Sequence, residues 1–363
     1  MVGLAKALAE LGFTVTYVAQ EHMSLDRKQQ GWLEPEHGCV QLEIAEDEHS
    51  VRQLVNKAAI DSIHICQGIR SNGLVGVAQR ALRSRSLTQW VVMETVMDAG
   101  WRGVLKRLEY GRLFRRWRGN LAGVLATGYR TADWVVQQGM PKCRVFPFAY
   151  FLDGSGQITE GEIELSPFRF IFVGQFIARK RLDWLLKSLA SIISLEFEVV
   201  VVGSGPMEMA LRREATELLG DRVRWVGRLQ SDQVSHHVKM ADCLVLPSLF
   251  DGWGAVVSEA LIAGTPVICS DTCGTAHLVA LSGVGGVFDS RRIDDLKFCL
   301  ETCIDVGKVD TTKREHLANW ATCLTAQAGA QYLSQILCLP DEGDEEVTAP
   351  WAPLEWLDPT ECE

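Results

Sequence analysis

The chain has 363 residues, enough for two domains with sizeable cores, and its 47% hydrophobic and 23% charged content is that of an ordinary globular protein. The absence of an apolar run of membrane-span length or of a secretory leader ahead of the first helical pattern argues against a spanning or exported chain. A net charge of −10 argues against nucleic acid as a partner, and eleven cysteines with no Cys-x-x-Cys pair argue against a disulfide scaffold or a zinc site. Several cysteines (Cys66, Cys243, Cys269) sit inside apolar runs, which predicts reduced core thiols and a cytoplasmic protein.

The charge is uneven: residues 1–150 carry 19 Lys/Arg against 14 Asp/Glu (+5), and the remainder 17 against 32 (−15). The N-terminal half is therefore expected to face something anionic. Its apolar runs Thr14–Ala19, Ser62–Gln67, Gln89–Glu94, Gly123–Thr127 and Arg144–Phe148 read as strands. Between the third and fourth, Trp101–Arg118 holds seven basic residues and one acid among apolar and aromatic ones. Such a basic amphipathic helix suits a membrane surface or an anionic glycan. An ordinary helix with Leu105, Leu108 and Leu113 in the core is the simpler reading. Residues 153–167 break the pattern with Gly-Ser-Gly and a charged stretch ending in proline, as an interdomain linker does.

Beyond it, Phe168–Val173, Glu198–Val202, Val223–Val226, Cys243–Pro247 and Pro266–Ser270 read as further strands, many apolar on both faces like buried parallel strands. Residues 313–338 read as one helix, and the acidic, Pro-containing tail from Pro340 as disordered or loosely docked. Strand–helix alternation gives an α/β fold with ligands at the carboxyl ends of strands.

The chemistry concentrates in Asp251-Gly-Trp-Gly-Ala-Val-Val-Ser-Glu259, followed by Gly264-Thr-Pro-Val-Ile-Cys-Ser-Asp271. Two carboxylates flank a glycine-rich turn that runs into a helix. The helix start aims unpaired amides and partial positive charge into the turn, where a phosphate is stabilised. Carboxylates beside it suit sugar hydroxyls. This block resembles the Glu-x7-Glu motif of retaining glycosyltransferases of family 4, with Asp251 at the first Glu. Phe170-Ile-Phe-Val-Gly174 with Arg179-Lys180, Val200-Val-Val-Gly-Ser-Gly-Pro206, Val223-Arg-Trp-Val-Gly227 and Ala241-Asp-Cys-Leu-Val-Leu-Pro-Ser248 follow the same family's order and spacing. Together they cover residues 168–290, whereas residues 1–150 resemble its N-terminal domain only loosely.

The resemblance implies a GT-B fold, two Rossmann-like parallel-sheet domains facing across a cleft. The acceptor domain would be 1–152, the donor domain 168–312, and the helix 313–338 would cross back onto the first domain. Met1–Gly12 resembles the family's first helix; the strand and glycine-rich loop that normally precede it are missing, as in an N-terminally truncated copy. The implied activity is transfer of a sugar, with retention, from a nucleotide-diphosphate sugar to a glycan or lipid-linked acceptor, as in polysaccharide biosynthesis. The departing phosphate would itself take the acceptor proton.

By the same resemblance Glu259 accepts two ribose hydroxyls, Asp251 orients the donor sugar, and the amides of Gly252, Trp253, Gly254 and Ala255 hold hydroxyl or phosphate oxygens. Lys180 and Arg179 stabilise the leaving diphosphate. The family's first loop arginine is replaced by Gln175, for which Arg179 or Arg181 would substitute. Glu94, ending an apolar strand, stands near the place of a family histidine. Gly174, Gly203 and Gly227 end strands at the cleft and join the donor-binding set. Gly203-Ser-Gly-Pro lacks the third glycine of a dinucleotide fingerprint, and no acid follows the next strand, so NAD is not expected. No Asp-x-Asp or clustered His/Cys occurs, so neither metal nor cofactor is expected. His64 reads as a satisfied core histidine, His236 and His237 as surface. A nucleotide-sugar epimerase on the same fold and a non-catalytic nucleotide-sugar binder are the alternatives.

Overall fold

The structure is a computed structural model that describes residues 1–24, 34–70, 72–154, 167–339 and 347–352. Most of the expected linker 153–167 and of the acidic tail lies outside the described residues. In chain order the first lobe contains α1 (Val2–Glu10), β1 (Thr16–Ala19), β2 (Gln41–Ile44), α2 (Glu48–Lys57), β3 (Ile63–Gln67), α3 (Gly73–Ser84), β4 (Thr88–Glu94), α4 (Gly100–Trp117), β5 (Gly123–Thr127), α5 (Thr131–Gln137) and β6 (Val145–Phe148). The second contains β7 (Phe168–Val173), α6 (Leu182–Ala190), β8 (Phe197–Val202), α7 (Glu208–Leu219), β9 (Val223–Gly227), α8 (Ser231–Lys239), β10 (Cys243–Leu246), α9 (Ala255–Ile262), β11 (Val267–Ser270), α10 (Ala276–Leu281), β12 (Gly285–Phe288) and α11 (Ile293–Val306). Then come α12 (Thr311–Trp320) and α13 (Ala326–Leu337). The single helix expected over 313–338 is thus two. Thr325, in extended conformation, breaks it and caps α13 by accepting from the Ala328 amide.

The second lobe is one six-stranded parallel sheet in the order β12-β11-β10-β7-β8-β9. Alternate residues of its central strands feed two cores. Phe168, Phe170 and Phe172 pack under α6, α7 and α11 with Leu185, Leu211 and Leu296. Ile171, Leu244 and Leu246 pack with Val257 and Leu261 of α9 on the other face. Each fully buried aliphatic side chain stabilises by about 1.5–3 kcal/mol. Strand order reverses between β10 and β7, so the loops at their carboxyl ends, 174–181 and 247–254, flank a switch-point crevice.

In the first lobe the strands fall into two parallel sheets, β1-β2 and β3-β4-β5-β6. Val18 of β1 and Ile63 and Ile65 of β3 are exposed. Neither β2 nor β12 was anticipated. Gln-Leu-Glu-Ile is short and half polar, and Gly-Gly-Val-Phe opens with two loop-forming glycines, yet each pairs along its length with a neighbour.

Helix α4 overturns one expectation. Its buried face is Gly103, Tyr110, Phe114 and Trp117, whereas Leu105 and Leu108 are 56% and 53% exposed and Trp101 70%. The aromatic face is larger and wins the core, where Tyr110 stands edge-on to Trp134.

The lobes are joined by more than the chain. Helix α13 packs against α1, and the Tyr332 hydroxyl donates to the Pro147 carbonyl at 2.9 Å. Trp351, only 8% exposed, packs among Phe151, His277 and Tyr332 at ring distances of 6.2, 5.8 and 6.4 Å. This part of the tail is docked against both lobes.

Candidate active site

The β7–α6 loop and the β10–α9 turn converge at the switch point. Residues Ala178–Lys180 form a single 3₁₀ turn, followed by Arg181 in left-handed conformation at φ +51°. The turn is tied to the second loop by the Leu249 amide, which donates to the Arg179 carbonyl at 2.8 Å. Arg179 donates to the Phe250 carbonyl at 2.7 Å and lies 3.7 Å from Asp251 Oδ1. Lys180 Nζ stands 2.5 Å from Asp251 Oδ2. Three of the sequence candidates therefore meet in one cluster. Arg181 does not join them. It donates to the Ser290 carbonyl and lies over Trp184 at 3.9 Å, so it does not substitute for the arginine that Gln175 replaces.

After Asp251 the chain turns sharply. Gly254 has φ +87°, a left-handed conformation that glycine adopts without strain, and a Cβ there would come 3.1 Å from Leu246. Among the described residues, the amides of Gly252, Trp253, Gly254 and Ala255 donate to no backbone carbonyl. Gly254 caps α9 and Ala255 opens it, where unpaired amides and the helix dipole favour an anion. The Trp253 side chain is core: it is buried, and its Nε1 donates to Ser258 Oγ at 3.1 Å. Only its backbone can serve a ligand.

Glu259 lies on α9, and burial pushes its carboxyl above the ordinary range. No side chain among the described residues donates to it. A partly buried carboxylate without donors is costly, and hydroxyls of a ligand would satisfy it. Gly174 and Gly203 are placed differently from the open amides. Their N–H groups donate to the Val202 and Gly227 carbonyls, and a Cβ on Gly203 would lie 1.9 Å from the Gly174 carbonyl oxygen. These two, with Gly227 at φ +83°, let the loops after β7, β8 and β9 touch.

Glu94 reaches this turn from the other lobe. It accepts from the Tyr150 hydroxyl, and its Oε2 lies 2.5 Å from where a Cβ on Gly252 would be. The seam there depends on glycines. A Cβ on Gly128 would come 2.9 Å from the Gly252 carbonyl oxygen, and one on Gly274 would come 2.1 Å from it. Thr95 Oγ1 donates to that carbonyl at 3.4 Å, and the Tyr129 amide donates to Gly274 O at 2.9 Å. Tyr129 stacks on His277 at 5.4 Å, and burial drives the imidazole pKa down to about 4. These two rings, Phe148 and Trp351 line a cavity of about 160 Å³ between the lobes.

Sequence reasoning missed Thr95, Gly128, Tyr150, Gly274 and His277. Gly128 directly follows β5, the one signal that could have found it, whereas Gly274 lies four residues past the end of β11. Among the described residues no cluster of His, Cys, Asp or Glu could hold a metal ion. None of the helices among the described residues is long and apolar enough to cross a membrane.

Residues 157–315 match the family model of glycosyl transferases group 1. Over 111 residues the chain is 30% identical to an uncharacterized glycosyltransferase of Methanocaldococcus jannaschii, covering 30% of this chain and 28% of that protein. Over 140 residues it is 29% identical to a GDP-mannose-dependent monoacylated alpha-(1-6)-phosphatidylinositol monomannoside mannosyltransferase of Corynebacterium glutamicum, covering 36% of each chain. Each match spans well under half of the relative's own length. Among solved structures, HepE of Anabaena in complex with UDP superposes with a TM-score of 0.72 over 93% of this chain and 95% of that one, at 14% identity. That likeness establishes the two-lobed GT-B fold.

Proposed function

From the match of residues 157–315 to the family model of glycosyl transferases group 1 and from the GT-B fold, we propose that this protein transfers a sugar from a nucleotide-diphosphate sugar to a hydroxyl acceptor. The observation that carries the reading is the convergence of Lys180, Arg179, Asp251 and the unpaired amides of 252–255 at the β7/β10 switch point, beside Glu259. UDP bound to the structural neighbour HepE is consistent with a nucleotide donor.

In this reading Glu259 holds the ribose, and the α9 amides with Lys180 and Arg179 receive the diphosphate. The C1–O bond to the phosphate breaks, and charge grows on the departing oxygen, where fixed cations stabilise the transition state. The acceptor oxygen bonds to C1 on the same face, and its proton passes to the departing phosphate, so configuration is retained. Because the charge is met by side chains and amides, transfer proceeds without a divalent cation. Glu94, held by Tyr150 against Gly252, faces the sugar from the first lobe. The acceptor is a glycan or a lipid-linked glycan. The exposed stripe of Trp101, Leu105 and Leu108, among seven basic residues, supports peripheral contact with an anionic membrane surface.

The test is a panel of nucleotide sugars, with product identified by NMR. Lys180→Ala is expected to lower transfer by about 10²–10³ in kcat, and chelation of divalent ions to leave the rate unchanged. A changed nucleotide sugar with no glycoside formed would make the protein an epimerase. Near-wild-type transfer by Lys180→Ala would overturn the site.

A further inference from the structure

Two of the three cations of the β7–α6 loop, Arg179 and Lys180, are already engaged by one carboxylate. Asp251 and Lys180 are each only 14% exposed at the side chain, with Nζ 2.5 Å from Oδ2, and Arg179 lies 3.7 Å from Oδ1. Ser248 Oγ stands a further 3.5 Å from Oδ2. The Asp251 backbone is fixed too: its amide donates to Thr272 O, and its carbonyl accepts from Gly274 N at 3.0 Å. A carboxylate so anchored, in contact with two cations, stands in for an anion.

Resting on the donor reading above, we propose that Asp251 is a built-in competitor of the donor diphosphate for Lys180 and Arg179. Without donor it neutralises both cations and keeps a partly buried ammonium from standing unpaired, which is costly. The incoming diphosphate takes Lys180 and Arg179 by charge-assisted hydrogen bonds, the stronger kind. Asp251 is thereby released as an acceptor for a hydroxyl of the sugar, which lies next to the diphosphate in any such donor. A nucleoside diphosphate without its sugar displaces Asp251 and gives it nothing in return. The intact donor supplies that missing partner. The site therefore favours loaded donor over spent product, a preference that helps product release.

The two halves of the proposal predict effects of opposite sign from one substitution. In Asp251→Asn the competing charge is gone at nearly constant volume. UDP, measured by titration calorimetry, is expected to bind the variant at least about tenfold tighter than it binds the wild type. Transfer from the nucleotide sugar is expected to fall by about a hundredfold, since the hydroxyl acceptor is impaired. In the double variant Asp251→Asn, Lys180→Ala the gain in UDP affinity should vanish. Equal or weaker UDP binding by Asp251→Asn overturns the competition while leaving the donor site standing. If the wild type and the variant bind neither UDP nor any other nucleoside diphosphate, the donor reading and this inference fall together. Should Asp251→Asn not fold, as judged by circular dichroism, Asp251→Ser carries the same test.

Discussion

Glu259 shows how one side chain can weigh on stability and function in opposite directions. Burial raises its carboxyl pKa, so the folded protein holds that proton more tightly than the unfolded chain does. The sign follows: the unfolded state binds fewer protons across that interval, so stability falls as pH rises from the ordinary carboxyl range through the raised value. At neutral pH the carboxylate is a cost that the fold carries. Glu259→Gln is expected to raise the melting temperature at pH 7 and to lose that advantage below the ordinary carboxyl range, as read by calorimetry at both pH values. The same variant should bind nucleotide sugar about a hundredfold more weakly, through lost charge-assisted hydrogen bonds. A variant no more stable at pH 7 than the wild type would show that the carboxylate is paired. Glu259 and Asp251 were readable in the sequence because both sit in one contiguous block. Lys180 and Arg179 were candidates too, but their contact with Asp251 was not legible. Lys180 is 71 residues from Asp251, and Gly128 meets Gly252 from another lobe, so only the fold brings them together. Arg181 looked equivalent to Arg179 by position, but its left-handed backbone turns it toward Ser290.

Among the elements, α4 is where charge and hydropathy left a membrane surface, an anionic glycan and an ordinary helix as readings, and the structure corrects which side chains the helix buries. Which face a helix buries depends on the volume its neighbours leave. Here Tyr110, Phe114 and Trp117 fill that volume together with Val91, Val124 and Val135. Leu105 and Leu108 are left outside, next to arginines, whereas Leu113 packs against that core. Replacing Leu105 and Leu108 with Glu is expected to reduce sedimentation with vesicles containing phosphatidylserine by tenfold or more, roughly the free energy of two partly buried leucines. Transfer to a soluble acceptor should be unchanged. Undiminished vesicle binding would exclude this face as the contact. The central strands β7, β8, β10 and β11 were plain in the sequence because they are apolar on both sides, whereas β12 was hidden by its glycines and β2 by its polar alternation. The break between α12 and α13 depends on Thr325, whose hydroxyl caps the second helix.

At the scale of the molecule, the α/β class followed from strand–helix alternation and the GT-B expectation from the order of the motifs. The docking of the tail did not. Trp351 lies in a segment whose composition suggests solvent, yet it sits in a core shared by α13, the end of the first lobe and α10. Trp351→Ala is expected to cost about 3 kcal/mol of stability and to widen the interlobe angle, seen as a larger radius of gyration in small-angle scattering. An unaltered melting curve would mean that the tail rests on the surface without contributing. The divided sheet of the first lobe carries a different consequence. Two sheets have four outer strands where one continuous sheet has two, and here β1 and β3 are among them with Val18, Ile63 and Ile65 uncovered. Each such strand is a template for any extended chain that drifts past. At high concentration the molecule's first enemy is therefore another copy of itself, stitching backbone to backbone along a margin that a single lysine in place of Ile63 would repel.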